Sequence, residues 1–76
     1  MITSVQCRMA RAAVSWGVRE LARAANVGIS TVARFESGHG EPIAATVTAM
    51  QRALEAAGVE FIAENGGGPG VRLRKP

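Results

Sequence analysis

VRELARAANVGISTVARFESG, residues 18–38, is the stretch on which the rest of the chain turns. Val18 to Ala25 reads as a short helix behind Gly17 as N-cap, with Leu21 and Ala25 one turn apart. Asn26, Val27 and Gly28 then form a turn, because Asn and Gly tolerate left-handed or non-helical backbone. Ile29 to Glu36 reads as a second short helix. It stops at Ser37 and Gly38, where glycine suits the left-handed residue just past a helix end. Two helices this short bury little on their own and need neighbours.

The flanking sequence supplies them. Thr3 followed by Gln6 reads as a capping box, with Ile2 and Cys7 as the hydrophobic staple. Helix 1 is therefore expected from about Ser4 to Val14, turning Cys7, Ala10, Arg11 and Val14 inward. Trp16 is expected to close the core between helices 1 and 2. His39, Gly40, Glu41 and Pro42 form a loop. Beyond it Ile43, Val47, Met50, Leu54 and Ala57 recur at spacings of three and four, an amphipathic helix ended by Gly58. The last part changes character. Val59 to Ile62 and Val71 to Arg74 alternate in the β manner around the flexible run Glu64 to Gly70, which predicts a two-stranded hairpin. The expected fold is all-α, a four-helix bundle over residues 1–58 with a C-terminal β-hairpin or tail over 59–76.

The second helix of the opening stretch has one face to spare. Stepping about 100° per residue from Ile29 puts Val32 and Phe35 near 300° and 240°, toward the core. Ile29, Ser30, Ala33 and Arg34 fall between about 0° and 140°, on the opposite side. A strip of small, hydroxyl and guanidinium side chains suits the major groove of double-stranded DNA, where Arg can grip a guanine edge and an apolar group can meet a thymine methyl. The charge agrees. The 76 residues carry a net +3, but residues 1–35 hold Arg8, Arg11, Arg19, Arg23 and Arg34 against Glu20 alone. Residues 36–64 reverse the balance, with Glu36, Glu41, Glu55, Glu60 and Glu64 against Arg52, and the tail adds Arg72, Arg74 and Lys75. Such asymmetry presents one basic face to phosphates.

Glu20-Leu21-Ala22, Asn26-Val27, Thr31-Val32-Ala33-Arg34-Phe35-Glu36 and Ser37-Gly38 together resemble the helix-turn-helix of the Cro and phage-repressor (XRE-type) family, over about residues 5–57. The resemblance implies a lambda-repressor-like bundle. It places Ile29, Ser30 and Arg34 where family members contact base edges, and Val18 and Thr31 at positions that approach phosphates. It matches Arg11 and Glu36 to a buried ion pair between helices 1 and 3. It also matches Leu21, Ala25, Val27, Val32 and Phe35 to core positions. Three residues depart from the pattern. Val18 stands where Gln is common, Gly28 replaces a hydroxyl N-cap, and Ile29 replaces a polar reader. Base readout therefore falls mainly to Arg34 and Ser30, and Arg8, Arg19 and Arg23 are the phosphate candidates.

A single recognition helix touches few bases, so a homodimer on a palindromic site is expected, acting as a transcription regulator. The hairpin has no obvious partner within the chain, and its apolar Phe61, Ile62, Val71 and Leu73 suggest it as the dimerisation element. Two other readings stay open: a DNA-binding antitoxin whose tail grips a toxin protein, and a protein-interaction module that has retired its DNA face. Catalysis is not expected, since no nucleophile–base pair or metal cluster stands at motif spacing. Nor is any cofactor or metal expected: His39 lacks a partner ligand, and the lone Cys7 reads as a small core hydrophobe. No apolar run approaches the ~20 residues of a membrane span. With one cysteine and no signal peptide, a cytoplasmic protein is the expectation.

Overall fold

A computed structural model describes residues 1–40 and 42–74; the loop's Glu41 and the tail's Lys75 lie outside the described residues. Four helices, α1 (Ser4–Ala13), α2 (Val18–Ala25), α3 (Ile29–Glu36) and α4 (Ala44–Ala56), precede two strands, β1 (Val59–Ile62) and β2 (Gly70–Leu73). Among the described residues no helix is long and apolar enough to cross a membrane.

Local chemistry sets the boundaries. The Thr3 hydroxyl accepts from Gln6 N–H at 3.0 Å while Gln6 Oε1 accepts from Thr3 N–H at 2.9 Å, so the capping box starts α1. Its end is a left-handed Ser15, φ 59°, with Trp16 N–H bonded back to Arg11 O at 2.9 Å. Gly17 caps α2 without a side chain, and Glu20 reaches back to accept from Gly17 N–H at 2.5 Å. Asn26 is left-handed at φ 57° and turns the chain toward α3. Past α3, Gly38 has φ +77°, and Gly38 and His39 N–H bond Phe35 and Arg34 carbonyls, closing the helix end.

The core is one cluster: Ile2, Cys7, Ala10, Leu21, Ala22, Val32, Val47, Met50, Leu54 and Val59. α2 packs on α3 and α4, and α1 packs on α3, α4 and the hairpin. Val14, Trp16, Val27 and Phe35 pack against this cluster from its margin.

Three sequence expectations need correction. Ile43 and Ala57 do not extend the apolar face of helix 4. Ile43 is the N-cap of α4 and 70 % exposed, and Ala57 is its exposed C-cap, so each stands just outside the regular helix. The second strand is shifted by one residue, since Gly70 pairs with Ile62 and Arg74 follows the strand, its N–H bonded to Gly58 O at 2.8 Å. The hairpin does have a partner within the chain. It packs on α1 and α4, Val59 joins the core, and Phe61 and Val71 lie against it. The buried Gln6 side chain ties it down by donating to Ile62 O and Gly70 O, both at 3.0 Å. At the hairpin tip Glu64 Oε1 accepts from Gly66 and Gly68 N–H, both at 2.8 Å, bonds that hold its carboxyl below the usual range.

Candidate nucleic-acid interface

The orientation of α3 begins with one charge cluster. Arg11, on the inner side of α1, donates from Nε to Glu36 Oε2 at 2.6 Å and from Nη2 to Glu36 Oε1 at 2.7 Å. Its third nitrogen, Nη1, donates to Trp16 O at 3.1 Å. One guanidinium thus joins α1, the α1–α2 connection and the last residue of α3. Glu36 is 7 % exposed and Arg11 20 %, so the fork works largely out of water, where it is strongest. The Glu36 hydrogen bond holds the Arg11 guanidinium above its ordinary value.

Cys7 completes this cluster, its Sγ 3.2 Å from Glu36 Oε2. Burial, and then the facing Glu36 carboxylate, push the thiol from its ordinary 9.0 up to about 12. The folded protein is expected to be inert to Ellman's reagent at pH 8 and to react once unfolded in guanidinium. The sign for stability follows. Between about pH 9 and 12 the unfolded thiol ionises while the folded one stays protonated, so the contribution is full below pH 9 and falls as pH rises toward 12. A native-state reaction as fast as that of the unfolded chain would contradict the buried placement.

With Val32 fully buried and Glu36 anchored, the opposite side of α3 faces solvent. Ile29 (49 % exposed), Ser30, Ala33 and Arg34 are all exposed there, and Thr31 is exposed beside them. Arg34 reaches across the following loop, where a Cβ on Gly40 would stand 3.0 Å from Arg34 Nη2. Arg19 and Arg23 are exposed one turn apart on α2, and Arg8 is exposed on α1. Among the described residues, Arg8, Arg19, Arg23 and Arg34 form no salt bridge; the two that exist are Arg11–Glu36 and Arg72–Glu60. Val18, at the start of α2, is half-buried and packs its side chain against the core. Gly28 caps α3 with no side-chain hydrogen bond.

Sequence reasoning missed two polar residues at the α3 end. Ser37 Oγ donates to Arg34 O at 3.1 Å and lies 2.9 Å from His39 Nδ1, which holds the histidine against the helix terminus. The Ser37-x-His39 spacing was the available signal. The exposed face of α3 offers hydroxyls, small apolar groups and a guanidinium that forms no salt bridge among the described residues. Among the described residues no three His, Cys, Asp or Glu side chains gather as a metal site requires. No protein-family model and no curated protein matches this chain.

Proposed function

We propose that this chain binds double-stranded DNA as a regulator of transcription, with α2, the 26–28 turn and α3 acting as a helix-turn-helix and α3 entering the major groove. The observation that carries the reading is the exposed side of α3, where Ser30 is exposed and Arg34 forms no salt bridge among the described residues. Arg34 would read a guanine edge, Ser30 would donate or accept beside it, and Ile29 and Ala33 would meet thymine methyls. Arg19 and Arg23 on α2, with Arg8 on α1, would neutralise phosphates, while Thr31 and the Val18 main chain would approach the same backbone. The XRE-type resemblance and the lambda-repressor-like bundle it implies point the same way.

The chain measures 29 × 27 × 18 Å, less than the ~34 Å that separates successive major-groove half-sites. Reading two half-sites therefore takes two copies. The pairing element we propose is the free side of β2. The Arg74 N–H bond to Gly58 O fixes the antiparallel alternation, which turns the Val71 and Leu73 main-chain groups away from β1. Leu73 is 54 % exposed beside that edge. Leu73→Glu is then expected to shift a dimer to monomer in sedimentation, and an unchanged dimer rejects this edge.

The decisive experiment selects a binding sequence from a random duplex pool and measures affinity against salt. Log K should fall linearly with log salt, with a slope of about −0.9 for each phosphate neutralised. Arg34→Ala should weaken the selected site by about 1–3 kcal/mol and relax its sequence preference, whereas Arg23→Ala should weaken all duplexes alike and flatten the salt slope by about one. If no salt-dependent binding is found, the chain is better read as a protein-interaction module.

A further inference from the structure

The chain has two asparagines, Asn26 and Asn65, and both are exposed. The residues that follow them differ. Val27 is β-branched, and its N–H is committed to Ala22 O at 3.0 Å, closing the end of α2. Gly66 carries no side chain, and its φ of +100° lies in the region that favours glycine. No atom beyond its immediate neighbours lies within 4 Å of the place a Gly66 Cβ would take, so this stretch of main chain is uncrowded.

Around Asn65 and Gly66 stand the groups that attack of an amide nitrogen on a carboxamide requires. Glu64 Oε1 accepts from Gly66 N–H at 2.8 Å, and so touches the proton that has to leave. The same oxygen accepts from Gly68 N–H at 2.8 Å, which fixes it within the turn. These bonds hold the Glu64 carboxyl below its usual range, so it is a carboxylate at neutral pH. Asn65 Oδ1 accepts from Gly67 N–H at 3.3 Å, a donor aimed at the oxygen on which charge develops.

We infer that the hairpin tip is a self-modifying site, where Gly66 N attacks the Asn65 carboxamide with Glu64 as general base and Gly67 N–H as oxyanion donor. The N–Cγ bond forms while the Gly66 proton passes to Glu64 Oε1. The Cγ–Nδ2 bond then breaks, and ammonia leaves with the proton that Glu64 returns. Water opens the resulting succinimide at either carbonyl, giving an aspartyl or an isoaspartyl residue at position 65. Either product puts a new carboxylate beside Glu64. The isoaspartyl form also adds a carbon to the main chain between β1 and β2.

The test incubates the full folded chain at neutral pH and follows tryptic peptide 53–72 by chromatography and mass spectrometry. Asn65 should convert into two separable acids while Asn26 stays an amide. Glu64→Gln keeps an acceptor for Gly66 and Gly68 N–H but removes the base, and should slow conversion about tenfold or more. Circular dichroism checks that this variant folds. Conversion should also be faster in the folded chain than in guanidinium, where the three groups are no longer held together. An intact Asn65, an unchanged rate in Glu64→Gln, or a folded rate no higher than the unfolded one overturns the site.

Discussion

Arg11→Ala is expected to destabilise the fold by about 3–5 kcal/mol, the usual cost of removing one partner of a buried ion pair. The cause is what it leaves behind. Glu36, 7 % exposed, would keep a charge with only the weakly donating Cys7 thiol beside it, and Trp16 O would lose its donor. At about 0.05–0.15 kcal/mol per residue, a domain of this size has only some ~4–11 kcal/mol in total, so the loss takes a large share of its stability. Urea unfolding measures this directly. The double variant Arg11→Met with Glu36→Leu separates the cost of a stranded charge from the value of the pair, because an apolar replacement of both partners is often neutral. A loss under about 1 kcal/mol for Arg11→Ala would show that the fork contributes nothing beyond a surface pair. Since the same fork anchors the end of α3, duplex affinity should fall along with stability.

Gln6→Glu is expected to cost about 2–4 kcal/mol, from one buried carboxamide that serves two parts of the fold. The glutamate keeps the acceptor for Thr3 N–H, so the start of α1 is still capped. It replaces the Nε2 donor with an oxygen, so Ile62 O and Gly70 O lose their bonds and face negative charge. The change is nearly isosteric, and packing therefore stays constant. Hydrogen exchange should show the loss first in residues 59–62 and 70–73, with α4 following only as global stability falls. Equal protection of the hairpin in both proteins would contradict the role given to Gln6.

These two residues mark where sequence reading reaches its limit. The four helices lay open because each signal is local: Thr3 with Gln6, Gly17, Asn26 and Gly38 act within a few residues of themselves. The exposed side of α3 was equally legible, since one helical repeat from Val32 and Phe35 determines where Ile29, Ser30 and Arg34 stand. The ion pair was available only by resemblance, because Arg11 and Glu36 are 25 residues apart and nothing in their spacing couples them. Ile43 and Ala57 match the inward repeat of their helix, yet periodicity cannot say where a neighbour stops covering it, and both ends emerge into solvent.

The chain alone determined its helices, its hairpin, the basic character of its first half and the outward strip on α3, all of which depend on backbone preference and helical period. Only the tertiary structure decided that Gln6 fastens the hairpin across 56 and 64 residues, that Val18 packs its side chain on the core, and that Arg34 lies over Gly40. The physical reason is common to all three. A side chain's partner across the fold depends on how helices stack in space, and that stacking is a property of the whole core, to which no short segment has access.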